Sequence, residues 1–211
     1  EDVLDTEQRP KVEEFENCLF IALKMIGLDS NNDVVSEQLS IVLGKNWLLS
    51  FQEQEGDVFD QIRHRLRENK GLLRQKNTDY LLYRLIDTVI DNYYFVMDSI
   101  ADRAEELEDA VLQSANKKTL QQIQELKREL LDLKRAINPM REVVATLQRE
   151  ETQLITENTH RYLRDVYEHI IQIIDVLDNN RELAANIMDL YMSNINNRMN
   201  EVMKVLTIIS T

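Results

Sequence analysis

Residues 78–111 read TDYLLYRLIDTVIDNYYFVMDSIADRAEELEDAV, and this stretch decides the fold class of the chain. Its apolar side chains recur at alternating steps of three and four residues, at Leu82, Ile86, Val89, Tyr93, Met97, Ile100, Ala104, Leu107 and Val111. A heptad spacing of this kind places one apolar stripe along one side of an α-helix. The stretch therefore predicts a long helix that packs against other helices.

The same spacing resumes after a break and predicts a second helix. The break falls at residues 113–116, and apolar residues then recur at Leu120, Ile123, Leu126, Leu130, Leu133, Ile137, Met140, Val144 and Leu147. Two such helices joined by a short link are expected to fold back as an antiparallel hairpin. Pro139 lies inside the second helix, where its missing N–H is expected to bend or interrupt the helix.

A third heptad stretch runs from about Thr152 to the end of the chain. Its apolar positions are Leu163, Val166, Ile170, Ile173, Leu177, Ala184, Ile187, Tyr191, Ile195, Val202, Leu206 and Ile209. At about 1.5 Å per residue, such a helix spans on the order of 90 Å. The hairpin can cover only part of this stripe, so we expect copies of the chain to associate.

The last residues, VMKVLTIIST at 202–211, are apolar on nearly every side after Lys204. This pattern favours a helix that leaves water for lipid. A C-terminal helix docked in an ordinary core remains an alternative from periodicity alone.

The stretch before the helices has the pattern of a small sheet. Residues 18–26, CLFIALKMI, and 36–52, SEQLSIVLGKNWLLSFQ, are rich in β-formers and are separated by turn residues at 29–33 and 44–46. They predict three antiparallel strands. Residues 58–66 then carry apolar side chains at helical spacing, which predicts a short helix on the sheet.

The predicted fold class is therefore α+β and mainly helical. It comprises a small antiparallel sheet with a helix, a long helical hairpin and a very long C-terminal stalk helix. The corresponding division of the chain is 1–75 for a partial α/β domain, 76–150 for the hairpin and 151–211 for the stalk.

Composition excludes several classes of function. The 211 residues carry a formal net charge of −13, and a phosphate backbone binds to basic surfaces, so nucleic acid is not an expected partner. Cys18 is the single cysteine, which rules out an intramolecular disulfide and a cysteine-based zinc site. With four glycines, no phosphate-binding loop and no nucleophile motif, the chain is not expected to be an enzyme or to bind an organic cofactor. No apolar run reaches about 18 residues, so we expect a soluble piece without a complete membrane span.

Five separated segments resemble the CorA family of divalent-cation channels. They are QRPKVEEFEN at 8–17, GDVFD at 56–60, DYLLYRLIDTVIDNYY at 79–94, YLRDVYEHIIQIIDVLD at 162–178 and NEVMKVLTII at 200–209. The resemblance implies the cytosolic part of a homopentameric channel for Mg²⁺, and also Co²⁺ and Ni²⁺, at the cytoplasmic face of the inner membrane. It also implies that the stalk helix continues into the first membrane helix. Family members carry further strands before such a chain and a Gly-Met-Asn signature after it, so both ends are expected to be truncated.

The resemblance also implies metal ligands. A regulatory Mg²⁺ between neighbouring subunits would be held by Asp2 and Asp165, with Glu1 and Asp87 beside a second metal. Hydrated Mg²⁺ prefers oxygen ligands, so weak binding by a few carboxylates is chemically reasonable. Asp91 shares a helix face with Asp87, but without the resemblance it is interpreted as a solvated charge. High intracellular Mg²⁺ would then hold the channel closed.

The resemblance places three residues near the end of the chain in the pore. Asn200 would offer an amide oxygen to a hydrated ion, and Met203 and Leu206 would form an apolar constriction. Their spacing by three residues puts them on one face of the stalk.

Two alternatives remain open from the sequence. Asp165 and His169 are four residues apart, a spacing compatible with zinc, so a zinc transporter of the same fold is possible. His64 and His160 have no companion at ligand spacing. The heptads alone would also suit a coiled-coil interaction protein without a transport role.

Overall fold

A computed structural model describes residues 5–6, 8–54, 56–149 and 152–210. Four strands are followed by four helices, which confirms the predicted α+β class. The strands are β1 (Lys11–Phe15), β2 (Cys18–Leu28), β3 (Val34–Gly44) and β4 (Leu48–Gln52). The helices are α1 (Asp60–Arg67), α2 (Thr78–Gln113), α3 (Lys117–Arg149) and α4 (Glu157–Ile209).

The chain divides into two compact units. The first comprises residues up to 96 together with 134–175, and the second comprises 97–133 together with the residues from 176 onward. Helices α2, α3 and α4 each contribute one part to either unit. The division of the sequence into 1–75, 76–150 and 151–211 stays a prediction.

The sheet in the first unit is antiparallel and has the order β1-β2-β3-β4. Strands β2 and β3 pair along 11 residues, from Cys18 opposite Gly44 to Leu28 opposite Val34. On one face, the partners Leu19 and Leu43, Ile21 and Ile41, and Leu23 and Leu39 are all buried. Alternate residues of a strand share a face, so this continuous apolar layer forms the core of the unit.

The prediction of three strands was wrong, because β1 adds a fourth at the edge of the sheet. Its sequence, KVEEF, contains two glutamates and lacks a clear apolar alternation. An edge strand is half exposed, so charged residues are tolerated there and the periodic signal is weak. Lys11 and Glu13 form an ion pair of 2.7 Å on this strand.

The predicted turn after Gly44 is confirmed and is tied to the start of α2. The backbone N–H of Gly44 donates to the carbonyl of Trp47 at 2.9 Å. The hydroxyl of Thr78, the first residue of α2, donates to the carbonyls of Gly44 and Lys45, at 3.1 Å each. Sheet and helix are therefore joined at this corner.

The GDVFD segment positions α1. Asp57 forms an ion pair with Arg63, and its Oδ1 accepts a hydrogen bond from the backbone N–H of Phe59 at 2.8 Å. Burial alone would raise the pKa of Asp57, but the hydrogen bonds from Arg63 and Phe59 hold it below its usual value. Asp57 of this segment therefore stabilises the start of α1.

All nine positions of the heptad stripe in residues 78–111 are buried. Helix α2 ends at Gln113 and α3 begins at Lys117, as the break predicted. The side chain of Asn116 caps α3, because its Oδ1 accepts hydrogen bonds from the backbone N–H groups of Lys118 and Thr119.

Pro139 does not interrupt α3, so that part of the prediction was wrong. The helix runs from Lys117 through Pro139 to Arg149. Proline removes one backbone hydrogen bond, but Ile137 and Met140 on either side are fully buried. Packing of this stripe offsets the lost bond.

Helix α4 has 53 residues and spans about 80 Å. It begins at Glu157, five residues later than predicted, because residues before it form a turn and a cap. Its stripe is buried from Leu163 to Tyr191, whereas Val202, Leu206 and Ile209 are exposed. The alternative of a final helix docked in the core of this chain is therefore wrong. In the part of the chain that the structure describes, no helix carries a segment apolar enough to cross a bilayer.

Polar bonds set the register of α2 and α4 in the second unit. Side-chain N–H groups of Asn180, Asn194 and Arg198 donate to the carbonyls of Met97, Val111 and Ala115, respectively. Each donor lies 83 residues after its acceptor, so the two helices run parallel with one constant offset. Arg103 and Glu129 add a bidentate ion pair between α2 and α3, with bonds of 2.8 and 3.0 Å.

Replacing Gly44 with Ala should displace the ring of Trp47. A Cβ at position 44 would overlap the indole, which must swing outward, and overpacking of this kind costs about 1–3 kcal/mol. Trp47 is the single tryptophan, so its fluorescence emission should shift to the red. Gly27→Ala is the matched control, since a Cβ there makes an ordinary contact with Asn92. An unshifted emission in Gly44→Ala would contradict the packing described.

Candidate metal site

The site lies between α2 and α4 in the first unit, and a buried acid aligns the starts of the two helices. Asp79, in the first turn of α2, is 2% exposed. Its Oδ2 accepts hydrogen bonds from the backbone N–H and the hydroxyl of Thr156, at 2.8 and 2.7 Å. Thr156 directly precedes α4. Asp79 therefore ties the first turn of α2 to the residue that precedes α4.

Hydrogen bonds keep the carboxyl of Asp79 ionised. Burial by itself would raise its pKa, but bonds from Thr156, Thr159 and the backbone N–H of Tyr80 hold the pKa below its usual value. The partial positive charge at a helix N-terminus acts in the same direction.

Three tyrosines pack beside this contact. The rings of Tyr83 on α2 and Tyr162 on α4 are stacked, with centroids 4.9 Å apart, and Tyr80 lies 5.4 Å from both. The guanidinium of Arg84 lies 5.6 Å from the centroid of the Tyr83 ring. From there its Nη1 donates to Oδ2 of Asp87 at 2.6 Å. The ring of Tyr83 thus supports the guanidinium of Arg84, which forms a hydrogen bond with Asp87.

Asp87, Asp91 and His169 form the site itself. Asp87 and Asp91 are one turn apart on α2, and His169 projects from α4. One potential ligand atom from each of the three residues lies within 4.8 Å of the other two. Asp87 is 7% exposed, whereas Asp91 is open to solvent. Two carboxylates and an imidazole therefore meet at a half-open position on the helix contact.

The electrostatics of the site favour an added cation. Burial and the charge of Asp91 raise the pKa of Asp87, although Arg84 and His169 act against that rise. Burial and the charge of Asp91 also raise the pKa of the Tyr94 hydroxyl. A divalent cation between the two carboxylates would offset their repulsion and stabilise the ionised form of both.

Hydrogen bonds of Tyr94 hold α4 in place at this level. Its hydroxyl lies 3.0 Å from Oε1 of Gln172 and 3.4 Å from the carbonyl of His169. The Nδ1 atom of His169 is buried and has no hydrogen-bond partner among the described residues. The Tyr94 bond therefore holds the backbone of His169, and Nδ1 of its ring takes no part in positioning it.

The structure places the predicted metal ligands in different situations. Glu1 and Asp2 lie outside the described residues. Asp165 is exposed on α4, one turn before His169, and is not a member of the described group of three. Asp87 is brought together with Asp91, which the sequence left as a solvated charge, and with His169, which the sequence paired with Asp165.

One signal for this group was present in the sequence. The spacing of Asp87 and Asp91 by four residues put them on one face of a helix. Their proximity to His169 depends on the register between α2 and α4, which heptad spacing does not specify.

The predicted pore residues lie near the end of α4. Asn200, Met203 and Leu206 are exposed, the last two by 62% and 56%. Their role in a pore remains a prediction.

Comparison with known proteins decides the family. The family model described as CorA-like Mg²⁺ transporter protein matches residues 1–211. The chain belongs to this family. The cobalt/magnesium transport protein CorA of Thermotoga maritima is 48% identical over 212 residues, which cover 100% of this chain and 60% of that protein. The chain therefore spans about 60% of the length of this CorA-family relative.

Solved structures of the CorA family share the fold. The complete CorA magnesium transporter of Methanocaldococcus jannaschii matches with a TM-score of 0.89 at 24% identity, over 99% of this chain and 66% of that one. The soluble domain of CorA from the same organism gives a TM-score of 0.80 at 24% identity, over 90% of this chain and 76% of that one. The CorA-type fold of the chain is therefore established.

Replacing Asp79 with Asn should destabilise the protein and remove part of its acid sensitivity. The folded-state pKa of Asp79 lies below its unfolded value, so its contribution is present above the unfolded pKa and is lost as pH falls through the folded one. Loss of the charged acceptor should cost about 1–3 kcal/mol at pH 7. The gap between the native chain and Asp79→Asn should close as pH falls below about 4.

Urea unfolding between pH 7 and pH 3 measures this gap. Asp98→Asn is the matched control, because Asp98 is an exposed acid on the same helix. A gap that is constant with pH, or equal in the two variants, would contradict the role given to Asp79.

Proposed function

We propose that this chain is the metal-sensing and gating part of a homopentameric Mg²⁺ channel, positioned at the cytoplasmic face of the inner membrane. The observation that carries the proposal is the meeting of Asp87, Asp91 and His169 in a chain that matches a Mg²⁺ transporter family along its whole length. The transported ions are Mg²⁺ and also Co²⁺ and Ni²⁺. No organic cofactor and no enzymatic reaction are involved.

Regulation depends on ions between subunits. Mg²⁺ bridges Asp2 of one subunit and Asp165 of the next, with Glu1 and Asp87 close to a second ion. Asp165 is exposed on α4, as a ligand shared with a neighbouring copy must be. Mg²⁺ keeps much of its hydration shell, so such a bridge is weak enough to respond to concentration.

The exposed end of α4 supports assembly around a pore. Met199, Val202, Met203, Val205, Leu206, Ile208 and Ile209 are all more than half exposed. Exposed apolar side chains in such number are stabilised by contact with other copies or with lipid. In the pentamer, Asn200 faces the ion path, and Met203 and Leu206 form an apolar ring that excludes water when closed.

Metal and gate are coupled through the stalk helix. When Mg²⁺ is bound, the carboxylates at the subunit contacts are neutralised and the stalks stay in the closed arrangement. When Mg²⁺ is low, repulsion among these acids loosens the contacts and the ring at Met203 and Leu206 widens. Membership in a transporter family removes the basis for the alternative of a coiled-coil protein without a transport role.

The oligomeric mass of this chain should depend on Mg²⁺. In light scattering, millimolar Mg²⁺ should move the mass toward that of a pentamer, and EDTA should reverse the change. Asp165→Ala should abolish the response because it removes one side of the ion bridge. Asp175→Ala, an exposed acid on the same helix, is the matched control and should respond like the native chain.

A mass that is indifferent to Mg²⁺ would overturn the sensing mechanism. An equal loss in Asp165→Ala and Asp175→Ala would show that only the overall charge of α4 matters, which also contradicts an ion bridge at Asp165.

A further inference from the structure

The turn between α2 and α3 carries positive charge in a strongly acidic chain. The net charge of the 211 residues is −13, yet residues 110–124 contain no aspartate or glutamate and include Lys117 and Lys118. From residue 190 to the end, Arg198 and Lys204 are accompanied by a single acid, Glu201. Acidic side chains are therefore almost absent from these two segments, although they are common in the rest of the sequence.

A hydrogen bond brings the two segments to the same level in the second unit. The Nη1 group of Arg198 donates to the carbonyl of Ala115 at 3.2 Å. Ala115 is buried and precedes Lys117 by two residues, so Arg198 lies beside the turn that carries the lysines. We call residues 112–118 together with Arg198 the basic tip.

The cations of the basic tip are open to an outside partner. Lys117, Lys118 and Arg198 are all exposed. In the part of the chain that the structure describes, none of the three forms an ion pair with an acid. Their charge is therefore not neutralised by a neighbouring carboxylate of this unit.

Hydrogen bonds fix the backbone of the basic tip. The Oδ1 atom of Asn116 accepts from the backbone N–H groups of Lys118 and Thr119, at 2.9 and 3.1 Å. The hydroxyl of Thr119, which is buried, donates to the carbonyl of Ser114 at 3.2 Å. A surface that is already ordered loses less conformational entropy when a partner binds. The lysines are thus presented from a preformed turn.

Apolar side chains lie directly beside these charges. Leu112, at the start of the basic tip, is 59% exposed. The exposed apolar side chains of α4 begin at Met199, the residue after Arg198, and α4 continues to Ile209. At about 1.5 Å per residue, this segment extends about 16 Å beyond Arg198. The basic tip therefore lies where α4 changes from a packed helix to an exposed apolar one.

This order of groups matches the surface of an anionic bilayer. Lysine and arginine beside an apolar helix are attracted by the negative potential of lipid headgroups. An exposed leucine next to them can enter the boundary between headgroups and acyl chains. An acidic protein would also complement the charge, but it would leave the neighbouring apolar segment of α4 unexplained. Lipid accounts for both features.

We infer that the basic tip docks on the anionic headgroups of the bilayer that α4 approaches. Lys117, Lys118 and Arg198 contact the lipid phosphates, and Leu112 enters the headgroup layer. The inference rests on the proposed function, because that function places α4 at a membrane. It goes beyond that function, since it gives the α2–α3 hairpin its own contact with lipid beside the stalk helix.

Cosedimentation with lipid vesicles tests the docking. Vesicles of phosphatidylcholine alone are compared with vesicles of equal parts phosphatidylcholine and phosphatidylglycerol. EDTA is present throughout, so that divalent cations cannot bridge the acidic chain to the lipid. The native chain should bind the anionic vesicles about fivefold or more tightly than the neutral ones. The difference should shrink as salt is added, because salt screens exposed charges.

Two double variants locate the charges that act. Lys117→Gln with Lys118→Gln should remove most of the preference for anionic vesicles. Lys127→Gln with Arg128→Gln is the matched control, because it makes the same change in net charge at exposed residues of the same helix. The control pair lies about 15 Å further along α3 and should keep the preference.

Tryptophan fluorescence gives a second, local measurement. In a Trp47→Phe background, Leu112→Trp places a single indole at the basic tip. Its emission should shift to the blue when anionic vesicles are added, since the ring leaves water. Leu131→Trp in the same background is the control, because Leu131 is an exposed residue of α3 away from the tip. Its emission should not shift.

Equal binding of the native chain to the two kinds of vesicle would overturn the inference, since it would show attachment by the apolar end of α4 alone. Equal losses in the two double variants, or an unshifted emission of Leu112→Trp, would also contradict it. Failure of the proposed function is distinguishable, because that failure appears as a mass indifferent to Mg²⁺ in the absence of lipid.

Discussion

The contact between Asp79 and Thr156 sets the level at which α4 starts beside α2, and the candidate site depends on it. A buried carboxylate accepts the N–H and the hydroxyl of the residue that precedes α4. Asp91 lies 12 residues after Asp79, and His169 lies 13 residues after Thr156. At about 1.5 Å per residue along parallel helices, both side chains arrive at nearly the same height. Apolar contacts alone would not fix this register, because they can re-form after a small shift along the helix. The buried carboxylate of Asp79 fixes it, because its hydrogen-bond donors on Thr156 occupy one position.

The helical part of the fold could be predicted from the sequence because, in a long helix, the residues that recur every three or four positions are the ones that are buried. Every stripe position of α2 is buried, and the link between α2 and α3 falls where the spacing breaks. The predictions were wrong where edge exposure or core packing, and not apolar periodicity, determines the structure. Strand β1 lies at an edge and carries charges, and α3 continues through Pro139 because its neighbours are packed in the core. The start of α4 depends on a cap that binds a residue 77 positions earlier.

The candidate site could be predicted only in part, and the reason is physical. Asp87 was found through resemblance, and its companion Asp91 was visible as a neighbour on the same helix face. The sequence paired His169 with Asp165 because both lie on one helix. The structure groups His169 with two acids of α2, and the register between α2 and α4 is set by hydrogen bonds of Asp79 and Tyr94. Such bonds join residues more than 70 positions apart, and no local pattern reports them.

The three bonds from α4 to the carbonyls of α2 also restrict how α4 can move. Asn180 is buried, and its amide has the carbonyl of Met97 as its partner, while Asn194 and Arg198 hold Val111 and Ala115 at the same offset. A shift along the axis by a fraction of a turn would break all three bonds together. Sliding of α4 along α2 would therefore cost all three bonds at once, and these parts of the two helices are expected to respond to an applied force as one unit.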